Sequence, residues 1–351
     1  MAKIKLKKKA KIFIVIVLLI IIGVLAFSLL KSDDKPKKQK TKQTTTTTTK
    51  KPEPQVQVVD LKSNSRNIAV MINNNQSVWG YQAGLQDAYI TYEMIVEGGI
   101  TRMMAIFKAK QTSRIASIRS SRHYYLDYAE ENDALYAHIG WSDRARNDIY
   151  NLKINAINAD NSGAFTWDNT LRRLATEHRA YTSIDKIMQA AQSKGYRTTT
   201  DKKVLLNYSA KPLELSTYEG AIPANVVRIP YSNSHLTSYG YDAENKVYRR
   251  YQNNLEHKDY VTGMQYTAKN IITYKVYNYT MDSYGRQDLN NIGSGEGYFI
   301  SEGYAIPITW EKSSRFAQTI YKVKATGKEL VVNDGNTFIQ IQPQNRNLTI
   351  E

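Results

Sequence analysis

The stretch TYEMIVEGGITRMMAIF, residues 91–107, is where carboxylates and a guanidinium fall at the spacing of β-strands. Two apolar-rich runs flank Gly98-Gly99, and a two-residue glycine loop predicts a β-hairpin. With those glycines as the turn, Glu97 faces Ile100, Ile95 faces Arg102 and Glu93 faces Met104. The side-chain period of two then puts Glu93, Glu97 and Arg102 on one face, and Met94, Val96, Met103 and Ala105 on the other. Two readings of the polar face stand. It is a solvated face with ordinary cross-strand ion pairs, which contribute little, or it is the floor of a cleft, where partly desolvated carboxylates acquire perturbed pKa values. A glycosidase-like dyad is disfavoured unless a bulge folds the strand. Four residues of strand separate Glu93 from Glu97 by ~13 Å, whereas such pairs stand ~5–9.5 Å apart.

A second constellation is IRSSRH, Ile118 to His123, in which a strand enters a helix carrying Arg119, Ser120, Ser121, Arg122 and His123. A helix N-terminus offers free N–H groups and partial positive charge, so the junction suits a phosphate or a carboxylate. Equally, the two arginines serve to neutralise Glu93 and Glu97 inside the domain. The five histidines show no spacing typical of metal ligation, and the chain has no cysteine. No G-x-S-x-G, P-loop or dinucleotide fingerprint is present, so acyl transfer, NTP hydrolysis and hydride transfer have no local support and no cofactor is expected.

These residues need a scaffold, and the pattern around them predicts an α+β fold. Ile68 to Ile72 and Ile115 to Ser120 read as strands, Ser121 to Asn132 as a helix, and ALYAHIG as a further strand. SIDKIMQAAQSKG has Ser183 as N-cap, one apolar face from Ile184, Ile187, Met188 and Ala191, and Gly195 as its stop. A mixed α/β module therefore occupies residues 59–200. Beyond it, residues 201–351 read as mostly β, with hairpin-like runs such as YGYDAENKVYRRYQ and GYFISEGYAIPITW. The turn Asn333-Asp334-Gly335-Asn336 is the clearest hairpin signal of the chain.

The formal charge of +16 raises the question of nucleic acid, but it is unevenly placed. Within residues 1–55, fourteen lysines against Asp33, Asp34 and Glu53 give +11, which leaves +5 for the remainder. A nucleic-acid partner wants a basic face on the folded part, so none is expected. Residues 12–30, IFIVIVLLIIIGVLAFSLL, carry no charge and at ~1.5 Å per residue cross roughly 30 Å of hydrocarbon. A transmembrane anchor with a cytoplasmic basic tail, residues 1–11, is expected. The Lys/Thr-rich linker, residues 31–58, includes six threonines from Thr44 to Thr49 and cannot bury enough surface to order itself. The expected location is the cell membrane, single-pass, with the folded part outside.

The ordered series GLQDAYITYEMIVEGGITRMMAIF, IRSSRHYYLDYAEENDALYAHIGWS, HRAYTS and YRRYQNNLEHKDYVTGMQYTAKNIITY, followed by DSYGRQDLNNIGSGEGYFISEGYAIPITWEK and NDGNTFIQIQP, resembles the YerB-like lipoproteins. This bacterial family is built on a domain of unknown function, and the likeness covers nearly all of residues 66–343. The resemblance implies two modules and an envelope association. It adds Asn73, Thr101 and His138 to the candidate cleft, and it marks His257, Asp259 and Arg286 in the second module. The chain departs from the pattern in having no cysteine to lipidate, and the helix at 12–30 takes the place of the lipid. Two functions of different class follow. One is a non-catalytic envelope binding or scaffold module, whose partner is a cell-wall polymer or a membrane protein. The other is an enzyme acting on peptidoglycan or another envelope polymer through the Glu/Arg patch.

Overall fold

The computed structural model describes residues 54–159 and 162–351. The basic tail, the expected membrane helix and nearly all of the linker lie outside the described residues. Among the described residues no helix is long and apolar enough to cross a membrane.

The apolar runs of the first half become β1 (Ile68–Asn73), β2 (Ile90–Ile95), β3 (Thr101–Phe107), β4 (Leu135–Ala137) and β5 (Ala156–Ile157). Three helices accompany them: α1 (His123–Glu131), α2 (Asp143–Asn151) and α3 (Ile184–Ser193). The Ser183 hydroxyl caps α3 by accepting from the Lys186 N–H, as its sequence position predicts. In the second half, β6 (Val226–Pro230), β7 (Leu236–Asp242) and β8 (Val247–Gln252) form one meander. The strands β9 (Asn270–Val276), β10 (Gly293–Ser301), β11 (Tyr304–Lys312) and β12 (Thr337–Pro343) go elsewhere.

The two halves share one sheet. Its order is β11-β10-β9-β12-β2-β3-β1-β4-β5, with short strands at Ile222–Pro223 and Ile320–Val323 beside β11 making eleven. The seam is the parallel pairing of β12 with β2 on one side and β9 on the other. Helix α1 lies on one face, where Tyr124 and Tyr125 hydroxyls donate to carbonyls of β2 and β3. The opposite face is covered by the second sheet, built on β6, β7 and β8, so the fold is α+β in three layers.

Two expectations are corrected by this arrangement. The turn at Asn333–Asn336 exists, but it joins no hairpin: Val331–Asn333 pairs with Asn207–Ser209, while β12 enters the large sheet. The hairpin at β2–β3 exists, but its loop has three residues, Glu97-Gly98-Gly99. The Val96 N–H donates to the Ile100 carbonyl across it at 2.8 Å, and both glycines hold positive φ. One extra loop residue shifts the register by one, and a one-residue slip moves every side chain to the other face. Glu93 consequently pairs with Met103 and Arg102 with Met94, so Glu93 and Arg102 point to opposite sides of the sheet.

Candidate functional site

Strands β1 and β4 run parallel, and their carboxyl ends lie side by side. The segment Ile118–Ser121 wedges between those ends: the Arg119 N–H donates to the Met71 carbonyl, and the Ile139 N–H donates to the Arg119 carbonyl. Asn73 ends β1 and stands opposite Arg102 near the start of β3. In α/β sheets, ligands gather outside the carboxyl ends of parallel strands. The hairpin loop, the wedge and the start of α1 all meet there.

The Glu97 carboxylate is the centre of charge at this end. Arg102 Nη2 donates to its Oε1 at 2.7 Å, and Arg122 donates to both oxygens, with Nε at 2.9 Å from Oε2. The two arginine side chains are 4 % and 9 % exposed and that of Glu97 is 28 % exposed. Burial opposes ionisation of Glu97, but the Arg102 and Arg122 guanidinium groups outweigh it and hold its pKa at about 2. Burial, then Arg122, brings Arg102 down to about 10. Both guanidinium groups are otherwise engaged by carbonyls, Arg102 by Ser120 and Arg122 by Ser121.

The remaining candidates diverge. Arg119 is half-buried, and its Nη1 makes a long hydrogen bond, 3.4 Å, to the Glu177 carbonyl. Asn73 bonds the His178 ring at 2.8 Å beside it. Ser121 does not cap α1, since its hydroxyl accepts from Tyr136; the N-cap is Arg122, without a side-chain bond. His123 turns into a different cavity of about 280 Å³, where it bonds Asp288 at 2.7 Å alongside Arg144. The IRSSRH residues therefore do not form one anion site. His138 is buried against Tyr136 and Trp141, and its Nδ1 donates to the Gly140 carbonyl. Burial lowers its pKa to about 4.

Glu93 and Thr101 belong to a sealed network on the other side of the sheet. Glu93 Oε2 takes Arg250 Nη2 at 2.7 Å, and Oε1 accepts from Asn74, Thr101 and Thr237, with His235 at 3.4 Å. Both Glu93 and Arg250 are 0 % exposed. Burial raises the Glu93 pKa, yet Arg250 and His235 overcome it and set it at about 2. The network continues through Asn74 to Gln252 and Gln82, and from Gln82 to His257. On the helical side a second buried pair, Glu131 with Lys312 at 2.8 Å, also joins the halves. Sequence reading missed Asn74, Gln82, His235, Thr237, Arg250 and Gln252. The signal for two of them was period two in YRRYQ, which turns Tyr248, Arg250 and Gln252 inward and Arg249 and Tyr251 outward.

Of the second-module motif, Asp259 accepts from the Gly84, Val261 and Thr262 N–H groups and the Tyr266 hydroxyl, fixing a turn against the first half. Arg286 is an outer residue, paired with Asp282 at 3.0 Å. His257, Asp259 and Arg286 are not brought together with Glu97.

Comparison with known proteins assigns both halves. Residues 55–197 match the model described as Protein of unknown function (DUF3048) N-terminal domain, and residues 227–339 match its C-terminal domain. The curated relative "Putative lipoprotein YerB" of Bacillus subtilis (strain 168) is 30% identical over 285 residues, 79% of this chain and 81% of that protein. The crystal structure of the YerB protein from Bacillus subtilis superposes with a TM-score of 0.71 at 27% identity, covering 86% of this chain and 100% of that one. The sealed Glu93 network and the Glu97 cluster are thus features of a chain that belongs to the YerB-like DUF3048 family.

Proposed function

We propose that this chain is a non-catalytic binding module of the bacterial envelope, anchored by residues 12–30 with its folded part outside. Its ligand is an anionic group on a cell-wall polymer or a partner membrane protein. The observation that carries this reading is the state of the two carboxylates. Glu93 is sealed between the sheets by Arg250, and Glu97 is held ionised by Arg102 and Arg122. A general acid must hold a proton near the working pH, and neither carboxylate does so with a pKa of about 2. They also lie on opposite sides of the sheet, which removes the dyad that an enzyme acting on the polymer would use. At the carboxyl ends of β1 and β4 stands the half-buried Arg119, its guanidinium against the Glu177 carbonyl next to His178, the ring that Asn73 bonds. Burial, its largest influence, lowers the Arg119 pKa, Glu177 and Glu97 raise it, and Arg122 lowers it again.

The relative's name, which speaks of a lipoprotein, supports the envelope placement, and the uncharged nineteen-residue run supplies an anchor where this chain lacks a cysteine. The test is incubation of the full-length chain with purified wall material, followed by sedimentation and analysis of the supernatant. Retention without released fragments is expected. Soluble fragments that disappear with Glu97→Gln would transfer the assignment to an enzyme.

A further inference from the structure

A cavity of about 530 Å³ opens over β9, β10, β11 and β12 of the large sheet. Its size falls in the ~300–1,000 Å³ range of small-molecule sites. Strand register decides what its floor presents. Thr273 of β9 pairs with Gln340 of β12, and Lys275 pairs with Gln342. Side chains alternate along a strand, so Thr273, Lys275 and Gln342 share the face on which Gln340 bonds the Tyr231 and Tyr239 hydroxyls of the second sheet's layer. Tyr298 of β10 stands beside Thr273, and Pro307 of β11 stands beside Tyr298.

Two polar groups of the floor are unpaired. The Thr273 hydroxyl and Gln342 Oε1 are buried without a hydrogen-bond partner among the described residues, and the two residues are 1% and 0% exposed. The Gln342 amide is fixed in its orientation, because Nε2 donates to the Pro230 carbonyl at 2.9 Å, so Oε1 is the free end and can only accept. Folded proteins leave few buried polar groups without a partner. A ligand matching this pair offers a donor to Gln342 and an acceptor to Thr273, which is what the N–H and C=O of one secondary amide provide on its two opposite edges. The diagonal placement of Thr273 and Gln342 on neighbouring strands suits that geometry.

The rest of the lining narrows the ligand further. Glu219, Lys275, Glu296 and Lys324 also line the cavity, and Glu296 pairs with Lys324 at 2.7 Å. With two charges of each sign, the lining selects neither an anion nor a cation. It suits hydroxyl groups, which donate to carboxylates and accept from ammonium groups. The half-buried Tyr298 ring, with Pro307 and Leu348, supplies an apolar side for a ligand that has one apolar and one polar face.

We propose that this cavity binds an N-acetylated amino sugar, with its acetamido group between Gln342 and Thr273, its C–H face on Tyr298 and its hydroxyls among the charged side chains. A peptide amide satisfies Gln342 and Thr273 equally but brings no ring hydroxyls, and a plain hexose brings hydroxyls but no amide. The site goes beyond the anion-binding reading and does not rest on it, since Arg119 takes no part in it.

The probes are N-acetylglucosamine, glucose and N-acetylalanine amide, each titrated into the full-length chain in detergent and followed by saturation-transfer NMR. N-acetylglucosamine is expected to bind about 10-fold more tightly than glucose, since two hydrogen bonds of ordinary strength together carry roughly that factor. Thr273→Val removes the hydroxyl and keeps the shape. It should weaken N-acetylglucosamine about 5-fold while the melting temperature holds or rises, because the hydroxyl has no partner in the free protein. A hydroxyl needed only for the fold would give the opposite result. Tyr298→Phe should retain binding and Tyr298→Ala should lose about 5-fold. Arg119→Ala should leave N-acetylglucosamine binding untouched, which separates failure here from failure of the wall-binding reading. Equal binding of N-acetylglucosamine and glucose, stronger binding of N-acetylalanine amide, no saturable binding of any probe, or indifference to Thr273→Val would overturn the assignment.

Discussion

Glu93→Gln exchanges one oxygen for an amide nitrogen and is expected to be among the most damaging single substitutions in the folded part. In the native protein the carboxylate receives Arg250 on one oxygen and three neutral donors on the other, with no exposure of either charged partner. The amide keeps the shape and leaves the Arg250 charge buried without a counter-charge. Breaking such a pair from one side costs about 3–5 kcal/mol. The titration of Glu93 points to a similar size. Its pKa is lowered from the ordinary 4.5 to about 2, which corresponds to roughly 3 kcal/mol. Because the folded-state value is the depressed one, that contribution is complete above about pH 4.5 and is lost as the pH falls towards 2. For a unit of this size, 1 kcal/mol moves the melting temperature by about 2 °C, so calorimetry at neutral pH should show a drop of roughly 6–10 °C. The gap between variant and wild type should shrink as both are melted at progressively lower pH. Glu93→Gln combined with Arg250→Met, which removes the orphaned charge, should recover part of the loss. A single variant melting within about 2 °C of the wild type, or a gap that widens in acid, would refute the account of a sealed ion pair.

On the opposite face Lys312→Met strands Glu131, which also accepts from Tyr92 and Thr319; the urea midpoint should fall by the equivalent of about 3–5 kcal/mol, and an unchanged midpoint would contradict the pairing. Gly98→Val puts a β-branched side chain at a φ of 71° in the hairpin loop, a conformation that costs such a residue about 1–3 kcal/mol, so the melting temperature should fall by roughly 2–6 °C, and an unchanged melting temperature would contradict the loop geometry. If residues 12–30 are the anchor, protease treatment of intact protoplasts should digest residues 60–351, and their protection would reverse the proposed topology.

Much of the scaffold was legible because it depends on local pattern. The run IAVMI, short, apolar throughout and rich in β-branched residues, reads as a buried strand and is one, and Ser183 before an apolar face at helical spacing marks the start of α3. Properties set by partners distant in sequence were not legible. Glu97 is equally acceptable as the last residue of a strand or the first of a loop, and that single choice decided which face Arg102 occupies. The NDGN turn carries strong hairpin chemistry, but β12 is captured by β2 and β9, so its neighbour in sequence is not its neighbour in the sheet. Arg250 sits beside Arg249 and reads as surface charge; the carboxylate of Glu93, 157 residues away, is its buried counter-charge. Glu97 and Arg102 meet through the β2–β3 hairpin and Asn73 stands opposite Arg102 through the antiparallel pairing of β1 with β3, but Arg119 joins them because its segment wedges between the ends of β1 and β4, which no local motif announces.

The central claim is that the carboxyl-end site holds an anion through Arg119 while Glu97 and its two arginines serve the fold. A binding curve for the full-length chain on purified anionic wall polymer, repeated with added salt and with Arg119→Ala, tests it directly. Exposed electrostatic contacts weaken as the screening length shortens to about 8 Å at physiological ionic strength and further above it. Affinity is predicted to fall with salt and to fall again in Arg119→Ala, whose melting temperature stays near wild type because the hydrogen bond of the guanidinium to the described residues is a long one, 3.4 Å to the Glu177 carbonyl. Binding that ignores salt, or an Arg119→Ala protein that binds as tightly as the wild type, would contradict it.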